Sequence, residues 1–69
     1  MEEKFGDLIK RLRTEKGYSI DEFDEISGFS VVQIKNIENN KNKPRVFNIN
    51  KLANALGCSY DYLFSKLNN

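Results

Sequence analysis

With 69 residues, and eleven lysines and arginines against ten aspartates and glutamates, the chain has room for one small domain and a net charge of only +1. A domain of that size buries about 60% of its unfolded surface and is marginally stable, so it needs close packing, a staple or a partner. A single cysteine, Cys58, and the absence of histidine exclude a disulfide framework and a zinc site, and no run approaches the roughly 20 apolar residues of a membrane span.

The expectation is a soluble cytoplasmic protein of packed helices with no cofactor, since MEEKFGDLIK has no apolar signal-peptide core. Cys58, beside Leu56 and Gly57, reads as a small apolar residue in a reducing compartment. Charge becomes informative when divided along the chain. Residues 1–29 carry five bases against eight acids, whereas residues 30–54 carry Lys35, Lys41, Lys43, Arg45 and Lys51 against Glu38 alone. The basic half is the candidate partner-facing side.

The first element is a helix over 2–16, because Phe5, Leu8, Ile9 and Leu12 follow a three-one-three spacing that lines one helical face. Gly17 ends it. Ser19 with Glu22 forms a capping box, which starts a second helix over 20–27 that Gly28 ends. Ser30 with Gln33 repeats the box and starts a third helix over 31–39. Asn40 ends it in a left-handed conformation, at a small steric cost that glycine would not carry. Pro44 closes the following loop before a fourth helix over 46–56, on Ile49, Leu52, Ala53 and Leu56. Gly57 and Ser59 separate it from a fifth over 60–67, on Tyr60, Leu63, Phe64 and Leu67, and Asn68–Asn69 is a fraying end. No stretch alternates with period two long enough for a strand. The fold class is therefore all-α, with five helices around a core of Leu8, Ile9, Leu12, Phe23, Ile34, Ile37, Ile49, Leu52, Leu56, Leu63 and Phe64.

Only Gly28 and Phe29 separate the second helix from the Ser30 cap, too few for two antiparallel helices. This is the spacing of a helix-turn-helix, over residues 20–39, whose helices cross at about 90–120°. At about 100° per residue, Ile34 and Ile37 fall on one side of the third helix and Val32, Lys35, Asn36 and Asn39 on the other. One face enters the core and the other is free to read a partner.

The segments FGDLIKRLRTEKGYS, S-x-D-E-F-x-E-x-x-G-F-S, IKNIENNKNKP and KLANALGCSYDYLF, in that order from Phe5 to Phe64, resemble the Cro/cI-type (XRE, lambda-repressor-like) helix-turn-helix domains. The resemblance implies five helices and sequence-specific binding of double-stranded DNA as a transcriptional regulator, with the third helix in the major groove. It also implies that Arg13 and Glu38 form a partly buried structural ion pair holding that helix. The family usually has glutamine where this chain has Ile20 and alanine where it has Asp24, and positions often charged or apolar hold Ile26 and Ser27. Either the crossing of the two helices opens or Asp24 finds a donor, since an unbonded buried carboxylate costs several kcal/mol.

If the N-terminal turn of the third helix meets the bases, Val31 and Val32 offer methyl contacts to thymine, Asn36 suits adenine and Lys35 reaches guanine. Ser30, Gln33, Asn39, Lys41, Lys43 and Arg45 are the phosphate-contacting candidates, with Gln33 also the partner of the Ser30 cap. A module this small contacts few base pairs. A homodimer on a pseudo-palindromic operator is expected, its half-sites ~34 Å apart, with Tyr62 and Leu67 of the fifth helix as candidate contacts by resemblance, Leu67 being equally placed to join the core. No metal, membrane or small-molecule ligand is expected. An enzyme is disfavoured because there is no histidine, no phosphate-cradling loop and no paired carboxylates outside the D-E-F-D-E run, which reads as a solvated acidic turn. The competing reading is a protein-interaction module of the same fold, antitoxin-like or antirepressor-like, with weakened DNA contacts; Ile20, Asp24 and the acidic second helix favour it.

Overall fold

A computed structural model describes residues 3–67. Among these lie α1 (Phe5–Glu15), α2 (Ile20–Ser27), α3 (Val31–Glu38), α4 (Val46–Leu56) and α5 (Tyr60–Leu67), and no strand. The all-α, five-helix expectation is thus met, with the helix-turn-helix in α2 and α3. Glu2, inside the expected first helix, and the Asn68–Asn69 end lie outside the described residues.

The starts of α2 and α3 come from local hydrogen bonding. Ser19 Oγ accepts the Glu22 N–H at 3.1 Å while Glu22 Oε1 accepts the Ser19 N–H at 3.0 Å. Ser30 and Gln33 repeat the exchange at 3.2 and 2.9 Å, so each box satisfies two donors that a helix start leaves unpaired. Gly28, at φ 82°, closes α2 in the left-handed region, where a side chain would be strained.

Three boundaries differ from expectation, the least of them the end of the first helix, which falls at Glu15 with Lys16 as its C-cap and not at residue 16. The first helix begins at Phe5 rather than near residue 2, because Lys4 is extended and offers no side-chain cap. Its Gly6 N–H is satisfied from a distance, by Asn40 Oδ1 at 2.8 Å. The third helix stops at Glu38, leaving Asn39 as its C-cap and Asn40 at φ 60°. Apolar periodicity marks the face of a helix, whereas its ends depend on which partners the terminal groups find.

Phe23, Ile49, Leu52 and Leu63 are wholly buried at the centre, with Leu8, Ile9, Ile34, Ile37 and Leu56 around them. Burying each such side chain contributes roughly 1.5–3 kcal/mol. Phe29, Ala53 and Ala55 join this core, and Leu12 is only half-buried against it. Phe64 is a correction: it is 38% exposed, and its ring stacks on Tyr60 at 5.5 Å between centroids. Leu63, its neighbour, occupies the centre instead, and the next position is turned about 100° away.

The helices pack as α1 on α3, α2 on α3 and α4, and α4 on α5. The inner face of α3 is therefore covered while its outer face is left open. At the α1–α3 crossing Gly6 is buried, and a Cβ there would fall onto the Ile37 carbonyl oxygen and lie 2.8 Å from that of Glu38. Only glycine lets the start of α1 approach the end of α3 this closely.

Candidate nucleic-acid interface

Three sets of contacts orient α3. In the turn before it, the buried Ser27 hydroxyl donates to the Phe23 carbonyl at 2.6 Å and accepts the Phe29 N–H at 3.2 Å. Phe29 is thereby directed into the core, and the polar residue that looked out of place at position 27 organises the turn. At the far end, Arg13 Nε donates to Glu38 Oε2 at 2.7 Å and Nη2 to Oε1 at 3.1 Å, with both side chains under a tenth exposed. Arg13 Nη1 donates to the Tyr18 carbonyl at 2.8 Å. A two-pronged contact of this kind fixes orientation as well as distance. The third set is Asn40, which joins the end of α3 to the start of α1 through Gly6.

The departures noted on α2 resolve locally. Ile20 is half-buried against the core, and Ile26 is exposed. Asp24 is half-buried, and no fully buried side-chain polar atom lacks a partner among the described residues, so its carboxylate keeps contact with water. The carboxyl of Glu22 is held below the ordinary glutamate range because it accepts the Ser19 backbone N–H. Burial pushes the Cys58 thiol up from its ordinary value.

On the open face of α3, Val32 is 67% exposed, Lys35 is exposed, and Asn36 is half-buried. Val31 is half-buried too, so it offers less surface than expected. Ser30 and Gln33 are exposed but engaged with each other in the cap, leaving the Gln33 amide nitrogen and the Ser30 hydroxyl proton for a further acceptor. Asn39 is exposed at the opposite end of the helix. Lys41, Lys43 and Arg45 are exposed in the loop leading to α4.

One flank of α3 carries a shallow groove of about 170 Å³, in which Gln33 and Ile37 face Lys43 and Arg45 across Phe29 and Pro44. Lys51 lies over two rings near that flank, with Nζ 5.7 Å from the Phe29 centroid and 5.1 Å from that of Phe47. Such placement keeps the ammonium beside the groove. Among the described residues no group of histidine, cysteine, aspartate or glutamate side chains gathers as metal ligands would, and no helix is long and apolar enough to cross a membrane.

An open helical face on a short glycine turn, clamped at both ends and flanked by bases, matches a known domain type in sequence as well. Residues 9–63 match the helix-turn-helix family HTH_3. The chain belongs to this family. It is 37% identical over 60 residues to an uncharacterized HTH-type transcriptional regulator, y4dJ, of Sinorhizobium fredii, covering 87% of this chain and 78% of that protein. It is also 37% identical over 65 residues to the HTH-type transcriptional repressor RghR of Bacillus subtilis, covering 93% of this chain but 48% of RghR. The chain thus spans about half the length of that repressor. In three dimensions it resembles SinR, the master regulator for biofilm formation, in a crystal structure in complex with DNA. That likeness has a TM-score of 0.79 at 33% identity and covers 87% of this chain and 97% of SinR's. The HTH_3 fold seen here is that of a DNA-binding transcriptional regulator, in agreement with the resemblance read from the sequence.

Beyond that resemblance, two contributors were not foreseen from the sequence of this HTH_3 chain. Ser27 drew notice only as an anomaly, and its bonds to Phe23 and Phe29 follow no periodic rule. The Gly6–Asn40 link spans 34 residues, and nothing in the spacing of either residue announces it.

Proposed function

We propose that this chain binds double-stranded DNA sequence-specifically, lays α3 in the major groove, and represses transcription by occluding a promoter. The observation that supports it most directly is the open face of α3 carrying Val32, Lys35 and Asn36, in a fold that matches SinR, a protein solved with DNA. On this reading the valines, chiefly Val32 and with a smaller share from Val31, meet thymine methyls, Asn36 bonds adenine, and Lys35 reaches guanine. Ser30, Gln33, Asn39, Lys41, Lys43 and Arg45 hold phosphates and carry no sequence information.

Two copies bind a pseudo-palindrome in the cytoplasm, and Tyr62, exposed on α5, is the candidate contact between them, whereas Leu67 is half-buried against the core. A binding role, and not catalysis, fits the D-E-F-D-E run, in which Asp21, Glu22 and Glu25 are all exposed to solvent. A site selected from random duplexes is the direct test. On that site Asn36→Ala should cost about 1–3 kcal/mol and little on random duplex, while Lys43→Ala should weaken both alike and lower the salt slope by about one. Unchanged site preference in Asn36→Ala would refute the reading face. Absence of any duplex binding at ~50 mM salt would refute the function and favour the protein-interaction module. Sedimentation showing one subunit per operator at saturation would reject the dimer.

A further inference from the structure

The C-terminal end of α3, opposite the N-terminal turn proposed to meet the bases, borders a cleft of about 330 Å³ through Ile37 and Asn40. The start of α1, the end of α5 and the loop after α3 complete it through Lys4, Phe5, Leu67, Asn42 and Lys43. That volume lies at the lower end of the range in which proteins hold small molecules, roughly 300–1,000 Å³.

The lining divides into two chemistries. Ile37 is buried and Phe5 and Leu67 are half-buried, so the surface they present to the cleft is apolar. Lys4 and Lys43 are exposed and make no ion pair among the described residues. No aspartate or glutamate lines the cleft. Asp7 reaches it only through Asn40, whose Nδ2 donates to Asp7 Oδ1 at 3.4 Å. Two uncompensated cations beside an apolar surface, in a recess and not on a convex helix face, suit a ligand with an anionic head and an apolar body. A strand phosphate would meet the lysines and leave the apolar part uncovered.

We propose that this cleft binds a small organic anion, a carboxylate on an apolar body, with Lys4 and Lys43 at the carboxylate and Phe5, Ile37 and Leu67 around the body. Lys43, with Ile37 and Asn42, also lines the groove on the flank of α3, so the two recesses share one stretch of loop. A carboxylate that engages Lys43 in the cleft draws it from the phosphate it holds on DNA. The ligand is thus an effector that weakens the grip on the duplex. The site itself stands apart from the proposed docking of α3, whereas its effect on DNA rests on that docking.

Octanoate tests the site against 1-octanol, which has the same body without the charge, and acetate, which has the charge without the body. Octanoate should saturably shift the amide resonances of Phe5, Gly6, Ile37 and Leu67 in the full chain, and the other two at equal concentration should leave them nearly unmoved. Lys4→Ala should raise the octanoate Kd about twofold to fivefold, the share of a solvent-exposed ion pair. Lys4 is extended before α1 and caps nothing, so its loss leaves the fold intact. Lys10→Ala removes an equal charge from α1 outside the cleft and should leave the Kd unchanged. Saturating octanoate should lower affinity for the selected duplex by up to about eightfold at ~0.1 M salt and the salt slope by about 0.9, the worth of one phosphate contact, and Lys43→Ala should abolish that effect. Octanol binding as well as octanoate, shifts confined to residues outside the cleft, or an unchanged Kd in Lys4→Ala would overturn the site. Octanoate bound in the cleft with duplex affinity unchanged would refute the effector role. If wild type binds no duplex, the docking of α3 falls while the amide shifts still decide the cleft.

Discussion

Removing Glu38 should be among the most damaging single changes this domain can suffer. In Glu38→Ala the Arg13 guanidinium stays where it is, with its side chain 8% exposed, and loses the acceptors of its 2.7 and 3.1 Å bonds. The Tyr18 carbonyl at 2.8 Å is then the one acceptor left to it among the described residues, and that carries no charge. Breaking a buried pair from one side costs about 3–5 kcal/mol, because the other charge stays behind uncompensated. A chain of this length has a total stability of about 3–10 kcal/mol, so the variant should lose from about a third to all of it. Glu38→Gln keeps one acceptor and the shape, and should retain a measurable fraction of the loss. The double variant Arg13→Met with Glu38→Leu replaces the pair by apolar groups of similar volume, and should recover most of the stability lost by Glu38→Ala. Urea unfolding followed by circular dichroism distinguishes these cases, since a change of midpoint at constant slope is a change of stability. A cost below about 1 kcal/mol for Glu38→Ala, or a double variant as unstable as the single one, would show that uncompensated burial is not what the pair guards against.

Three further outcomes are expected. Gly6→Ala should destabilise by about 1–3 kcal/mol despite the better helix propensity of alanine, because the added methyl meets a backbone carbonyl that cannot swing aside; thermal melting checks the sign. Ser27→Ala should cost roughly 1–3 kcal/mol, since the Phe29 N–H loses its buried acceptor, and amide exchange at Phe29 should speed up more than exchange in α5. Because the folded-state value of Glu22 lies below its unfolded one, its contribution is present above the unfolded value and fades as pH falls through the folded one. The stability gap between wild type and Glu22→Ala should accordingly be largest near neutrality and shrink as acid protonates the carboxylate, read from denaturation at successive pH values.

The helices and both capping boxes were legible because their causes are local. Ser19 with Glu22 and Ser30 with Gln33 lie three residues apart, and each pair makes its bonds within one turn. The open side of α3 was legible for the same reason, since angular position follows from sequence spacing alone. What could not be read depends on partners brought together by the fold. Nothing near Lys4 shows that α1 starts at Phe5, because the group that satisfies Gly6 comes from Asn40. Phe64 shares its spacing with true core residues, and only the packing of Leu63 decides which of the two faces inward.

The anchors of α3 also bear on how far its reading face can be moved to another protein. Glu38 is fastened to Arg13, and Asn40 to Gly6, both residues of α1 that lie 25 and 34 positions earlier in the chain. A graft of residues 19–40 alone would carry the turn and its caps but neither anchor. Each of its helices has eight residues, and isolated helices shorter than about 12–15 residues are marginal in water. The smallest transplantable unit therefore starts no later than α1, and an exchange of specificity between relatives should be made by side-chain substitution on α3, not by swapping the segment.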